Sequence, residues 1–417
     1  VKRSHNQDAC SAQPAVDAQG YQTSGHVFVV ADGMGGHAVG EKASAKAVRD
    51  IPHLYQKHAR DGVLVALRRA FTETNAGIHA IGQENPEFKG MGTTSTALVL
   101  KPEGAWLGHV GDSRAYRIRD GQAEQLTFDH SWVWEIARRQ GVDPDELGDF
   151  KKNVIIRSLG PDPEVEIDIE GPHPVLPGDI FLLCSDGLTG VVNPQEIGAV
   201  VSVLPLDDAA RLLVHLANLR GGPDNITVLI VQVPGGTAKT PDGKPRRPNP
   251  LVRALKAWNR MVAWPFSLLG LGTLLALLSL VLRVNELPGS LFMIASITIL
   301  AGLIGLILQM KGDREDEAAP LEEKPRTLNV YKRHDCRITP ALFEKFTLLE
   351  KTLVEGLKEQ GVQVDWNAYA KLEANVEAAL KKDSAADAYS TRCTSLLFLA
   401  EAIHKSRGKD ERFRPNW

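Results

Sequence analysis

The sequence predicts an α/β (α+β) domain over residues 1–234, then a two-helix transmembrane hairpin and a small all-α C-terminal module. Short β-branched runs alternate with stretches of helical spacing through the first half. Two long segments further on carry no charged side chain. The last part of the chain repeats apolar residues at helical intervals.

The strand candidates are 27–31, 94–100, 105–110, 114–119, 179–184 and 225–233, each a short β-branched or apolar run. Within 105–126 the turn signals Gly-Asp-Ser and Asp-Gly divide the chain into a meander. Helical spacing marks 41–58, 62–82 and 206–219, with Leu64, Leu67 and Phe71 on one face. Residues 235–262 form a Pro/Gly/basic linker and juxtamembrane segment, 263–310 the hairpin, 311–337 an acidic linker, and 338–417 the helical module.

The length of 417 residues suggests two to three domains, and a net charge of −3 gives no global pull toward nucleic acid. Cys10, Cys184, Cys336 and Cys393 are scattered, so they read as free thiols of a reducing compartment rather than a zinc site or disulfide framework. The chain opens on Val1, directly on a motif, and is expected to lack its natural N-terminus.

The most informative feature is acidic. NQD (6–8), DGMGG (32–36), GDS (111–113), SDG (185–187) and PDN (223–225) each set an aspartate in or beside a turn next to a strand-like run. VFVVAD (27–32), LGHVGD (107–112) and FLLCSD (181–186) all end on the carboxylate. Such strands can gather acids at one end of a sheet. Gathered carboxylates repel, and all-oxygen ligation favours hard cations such as Mg²⁺ or Mn²⁺.

The runs RSHNQDA (3–9), VFVVADGMGGHAVGEKAS (27–44), MGTTSTALVL (91–100), LGHVGDSRAYRIRDGQAEQLTFDHS (107–131), LLCSDGLTGVV (182–192) and GGPDNITVLIVQV (221–233) resemble the metal-dependent serine/threonine protein phosphatases of type 2C, the PPM family, in their bacterial form. The resemblance covers residues 1 to about 234. It implies a four-layer sandwich of two antiparallel sheets flanked by helices, with a strand before residue 1 and a variable flap over 128–160. It further implies hydrolysis of phosphoserine and phosphothreonine by direct attack of a water or hydroxide bridging two divalent metals, Mn²⁺ or Mg²⁺, on phosphoproteins made by a serine/threonine kinase. Asp32 then bridges both metals, the Gly33 carbonyl contributes to one, and Asp186 and Asp224 hold the second. Asp8 matches the acid that holds metal-bound water, Asp112 an acid of a third, weaker metal site, and Arg3 the arginine that pairs with the substrate phosphate.

Gln7 stands where many members carry a metal-binding glutamate, and Met34 where some eukaryotic members carry a histidine proposed as general acid. An amide brings no charge, so weaker metal binding is expected. His37 and His109 read as structural rather than catalytic, and Thr93, Thr94 and Ser95 as strand interior without a base partner.

Residues 263–282 and 287–310 are each long enough as helices to cross about 30 Å of hydrocarbon. Only Arg283, Val284, Asn285 and Glu286 separate them, while Lys239, Lys244, Arg246, Arg247, Arg253, Lys256 and Arg260 precede the first. The positive-inside rule places that flank, and with it both large parts, in the cytoplasm, as a two-pass protein of the inner membrane. In the tail, Thr339-Pro340 starts a helix whose stripe is Leu342, Phe346, Leu349, Leu353 and Leu357. Trp366, Tyr369, Leu372, Val376 and Leu380 form a second stripe, and Cys393, Leu396, Leu397, Ala400 and Ile403 a third. The expectation is a bundle packing among its own helices, with 338–407 open to a protein partner or to dimerisation. The leading reading is a membrane-anchored phosphatase. The alternatives are a catalytically weak phosphatase-like binding module, or a membrane scaffold acting through the tail.

Overall fold

Strand β2 (His26–Met34) organises the first half because it is buried on both faces. Side chains alternate across a strand, so Val27, Val29 and Ala31 point to one side and Phe28 and Val30 to the other, into separate cores. That is why the run reads as continuously apolar. The computed structural model describes residues 5–35, 39–147, 154–234 and 329–406, together with Thr273, Ser296 and positions 298–300.

β2 pairs antiparallel with β1 (Asp8–Gln13) on one side and with β4 (Ser95–Lys101) on the other. The short β3 (Gly92–Thr93) pairs with its end. The sheet continues through β5 (Gly104–Val110) to β8 (Asp168–His173). A second antiparallel sheet runs in the order β10 (Val228–Gln232), β9 (Ile180–Cys184), β6 (Arg114–Arg119), β7 (Gln122–Gln125) and β11 (Lys332–Asp335). Phe28, Val30, Leu98 and Leu107 of the first sheet meet Ala115, Phe181 and Leu183 of the second, which makes the inner core.

Beyond α1 (Ala18–Thr23), the long helices α2 (Val39–His58) and α3 (Val63–Glu84) cover the outer face of the first sheet through Ala43, Ala47, Ile51, Leu67 and Phe71. The outer face of the second sheet, Tyr116, Ile118, Ile180, Leu182 and Cys184, lies against α6 (Pro194–Val203) and α7 (Leu206–Leu219). The four layers expected from the resemblance are present. Two shorter helices, α4 (Trp132–Gln140) and α5 (Asp186–Thr189), lie beside the acidic turns.

The tail differs from its expected boundaries. It holds three helices, α8 (Pro340–Glu359), α9 (Trp366–Lys381) and α10 (Ala385–Ser406), with the Thr339 hydroxyl capping α8. They do not form a module apart: residues 1–236 and 325–417 belong to one compact unit, and 237–324 to another. Phe346, Tyr389, Cys393, Leu396 and Leu397 share a core with Leu212, Leu213 and Leu216 of α7. Cys336 packs so tightly on α6 that a Cβ on Gly198 would stand 2.3 Å from its sulfur. Within the expected acidic linker, Lys332–Asp335 adds an edge strand to β7. Of the second tail stripe, Leu380 is exposed, so α9 buries less than its spacing suggests. Arg392 of α10 pairs inside the tail with Glu350 of α8 and Glu373 of α9.

The spans 263–282 and 287–310 lie outside the described residues, apart from the isolated helical positions Thr273, Ser296 and 298–300. Among the described residues no helix is long and apolar enough to cross a membrane. All four cysteines are free thiols, three of them buried.

Since the tail shares a core with α6 and α7, Phe346→Ala should destabilise the whole unit by about 3–4 kcal/mol, as truncation of a buried phenylalanine does. Urea unfolding followed by tryptophan fluorescence and by circular dichroism should give one coincident, earlier transition. A tail that melts alone, leaving the first transition unmoved, would contradict the shared core.

Candidate metal centre

The five acidic motifs converge at one end of the sandwich. Asp8 on β1 stands directly opposite Asp32 on β2 in the strand register. The Asp32 backbone N–H donates to Thr94 Oγ1 at 2.9 Å, and its carbonyl accepts from Thr93 Oγ1 at 2.9 Å and the Thr94 N–H at 2.8 Å. The threonines read as strand interior thus clamp the central acid from behind. Gly33 is required by contact: a Cβ there would sit 2.1 Å from the Gly40 carbonyl oxygen and 2.6 Å from that of Gln7. Only glycine lets the start of α2 approach the acidic turn so closely.

Asp186 follows β9 after Ser185 and opens α5. A Cβ on Gly187 would lie 1.9 Å from the Asn225 carbonyl oxygen, so the SDG and PDN turns touch backbone to backbone. Ser185 Oγ and Thr227 Oγ1 both donate to Asp8 Oδ2, at 2.7 and 2.8 Å. Asn225 Oδ1 accepts from the Gln7 N–H at 2.9 Å, and its Nδ2 donates to the His5 carbonyl at 3.1 Å. These bonds stitch the first motif to the last two. Asp112 joins through its neighbours: the Ser113 and Thr94 hydroxyls share a hydrogen bond at 2.8 Å, and the Gly111 N–H donates to His130 Nδ1 at 3.0 Å. Asp129, beside His130, is held by Arg114 through bonds of 2.7–3.0 Å. The segment expected to be a flap therefore enters the centre at its first residues. His109 bonds Thr96 and the Phe128 carbonyl at 2.9 Å each, the structural role expected of it.

Burial and like charge dominate the electrostatics. Burial above all pushes the Asp8 carboxyl up to about 6 and that of Asp112 up to about 8, and the nearby Asp186 adds to both shifts. Asp32 is raised well above the usual carboxylate range, by burial first and then by Asp8, Asp186, Asp112 and Asp224. Asp186 is raised by burial and by Asp224. Oδ1 of Asp8, Asp112 and Asp186 is in each case buried without a hydrogen-bond partner. An anionic oxygen left so is costly unless a cation or proton meets it. Among the described residues no three of these side chains close into a ligand set, yet Asp32 feels all four of the others. The donor chemistry, all carboxylate oxygen, fits Mg²⁺ or Mn²⁺.

The structure thus brings together Asp8, Asp32, Gly33, Asp112, Asp186 and Asp224, while Arg3 and His37 lie outside the described residues. Gln7 Nε2 donates to the Gly35 carbonyl at 3.4 Å, pinning the DGMGG loop. Sequence reasoning missed Ser185, Asn225, Thr227, Ser113 and His130 as supports. Four of them adjoin or flank an acid within its motif, which is the signal that was there.

A group whose folded pKa is raised contributes stability at low pH that is lost as pH rises through the folded value. In chelator, the urea midpoint should therefore fall from about pH 4 to about pH 8, the interval between the ordinary carboxylate value and the raised values of Asp8 and Asp112. Saturating Mn²⁺ should flatten or reverse that fall. A chelator midpoint that rises with pH would contradict the mutual repulsion of the acids.

Comparisons with known proteins give the family. The family profile described as protein phosphatase 2C matches residues 1–206. The serine/threonine phosphatase stp of Listeria monocytogenes is 34% identical over 236 residues, covering 55% of this chain and 91% of that protein. The serine/threonine protein phosphatase PstP of Mycobacterium tuberculosis is 34% identical over 209 residues, covering 50% of this chain; the match spans only 40% of PstP. The crystal structure of PstP superposes with a TM-score of 0.50 at 33% identity, covering 56% of this chain and 94% of that one. The chain belongs to the protein phosphatase 2C family.

Proposed function

We propose that the chain is a metal-dependent protein serine/threonine phosphatase, hydrolysing phosphoserine and phosphothreonine on proteins. The observation that carries this reading is the set of unpartnered, buried carboxylate oxygens of Asp8, Asp112 and Asp186, on three motifs around Asp32. Divalent cations held there, Mn²⁺ or Mg²⁺, would supply acidification of water and neutralisation of phosphate charge.

The chain's own residues do the rest. Asp32, Asp186 and Asp224, with the Gly33 carbonyl, would hold the ions. Asp8 is fixed through Oδ2 by Ser185 and Thr227, which leaves Oδ1 to orient the attacking water. Asp112 would serve a further, weaker cation. Arg3 is assigned to the phosphate by its motif. The Thr94 hydroxyl is engaged with Ser113 and the Asp32 N–H, which speaks against it as a nucleophile and for direct hydrolysis.

The reading extends to a two-pass membrane anchor at 263–282 and 287–310, with the phosphatase and the tail both cytoplasmic. It rests on the uncharged spans and the basic flank before them. A further support is that residues before and after this stretch share one core, so both its ends must lie on one side of any membrane.

Phosphate release from a phosphothreonine peptide should require Mn²⁺ and fall at least about 100-fold in Asp186→Ala, as loss of an electrostatic catalytic group does. A folded, metal-binding protein that releases no phosphate would overturn the enzymatic reading. In sealed vesicles, protease should reach residues after 312 from the same side as the phosphatase domain; cleavage only from the far side would rule out the hairpin.

A further inference from the structure

Asp186 and Asp224 sit on two abutting turns, and Arg220 joins them: its main chain leads into the second, and its guanidinium holds the chain that leaves the first. Arg220 caps the C-terminus of α7 and leads through Gly221, Gly222 and Pro223 into Asp224. Both glycines adopt positive φ, at 112° and 47°, so the path from Arg220 to the acid is a tight turn with little slack. Arg220 Nη1 donates to the Val191 carbonyl at 2.9 Å. Val191 lies two residues past the end of α5, which Asp186 begins, its N–H bonded to the Leu188 carbonyl at 3.2 Å. Arg220 therefore ties the chain leaving α5 to the turn that carries Asp224.

Arg220 is itself held by Glu196, a carboxylate only 1% exposed. Nη1 donates to Oε2 at 2.6 Å and Nη2 to Oε1 at 2.8 Å, a bidentate fork. The N–H of Asn193 also donates to Oε2, at 3.2 Å. The remaining contact comes from the tail: Lys345 Nζ on α8 lies 2.9 Å from Glu196 Oε1. Its neighbour Phe346 is buried in the core that α8 and α10 share with α6 and α7. The returning tail, which lies beyond the residues matched to the family, thus adds a charge to the carboxylate that orients Arg220.

We infer that Arg220 is a positioning residue for the Asp186 and Asp224 turns, and that the docked tail tunes it through Lys345 and Glu196. This rests on the reading that those two acids hold a divalent cation. An acid pair presented at a fixed separation binds an ion better than one free to spread; partners that touch the ligands commonly change metal affinity about 10–100-fold, and Arg220, acting through the Val191 backbone, belongs at the low end of that range. Lys345 is half-exposed, so its share is smaller.

The test is Mn²⁺ binding by calorimetry on the full chain in mild detergent, beside its melting temperature. Arg220→Lys keeps the charge and loses the fork, and should weaken Mn²⁺ binding about tenfold. Lys345→Met should weaken it about threefold, and Lys345→Arg should restore it, both at nearly unchanged melting temperature. If Arg220→Lys does not fold, the Lys345 pair decides. Unchanged affinity in Lys345→Met and in folded Arg220→Lys, while Asp186→Asn loses binding, would overturn the relay alone. Unchanged affinity in Asp186→Asn as well would overturn both the relay and the metal reading beneath it.

Discussion

The mutual repulsion of buried aspartates is the constraint on which this structure turns. Asp8, Asp32, Asp112 and Asp186 are drawn from four separate motifs into one end of a sandwich, where burial first and their neighbours' charge second raise their carboxyl groups. Left to themselves they would move apart or take up protons. What keeps them is backbone and hydroxyl chemistry that carries no charge: Thr93 and Thr94 behind Asp32, and Ser185 and Thr227 on one oxygen of Asp8. Gly33 and Gly187 let main chains meet where any Cβ would intrude. The nearby Arg114 is already committed to Asp129, so the charge of the acids is left to be answered from outside. A divalent cation answers it best.

Asp32, Asp112 and Asp186 were legible because each stands beside a glycine or serine at the end of an apolar run, so composition and position pointed the same way. Much of the framework was not. β1 reads DACSAQ and β8 reads DIEGPH, and neither shows the β-branched alternation that marks a strand. β2 shows a continuous run because both its faces are buried, which hides which residue faces which sheet. The two-sheet arrangement came from resemblance, and periodicity alone would not have separated it from another α/β layout. The supporting hydroxyls were invisible as such, since a serine beside an acid reads equally well as a turn.

The tail shows how far a helical stripe reaches. Phe346, Cys393, Leu396 and Leu397 say that their helices bury a face, but not what that face meets. It meets α6 and α7 of the phosphatase unit. β11 was harder still: KRHD contains no apolar side chain and joins the sheet by backbone pairing with β7. Its side chains add Arg333 on Glu124, and Lys332 on Asp143 and Asp145. Edge strands joined in this way leave almost no periodic trace. The result is one compact unit built from two ends of the chain, with the apolar stretch between them.

Anomalous diffraction at the manganese edge, from crystals grown with Mn²⁺, tests the central claim most directly. Peaks are expected among Asp8, Asp32, Asp186 and Asp224, one of them within bonding distance of Asp186 Oδ1, which is buried without a hydrogen-bond partner. Full manganese occupancy elsewhere, with these acids protonated and paired to one another, would contradict it.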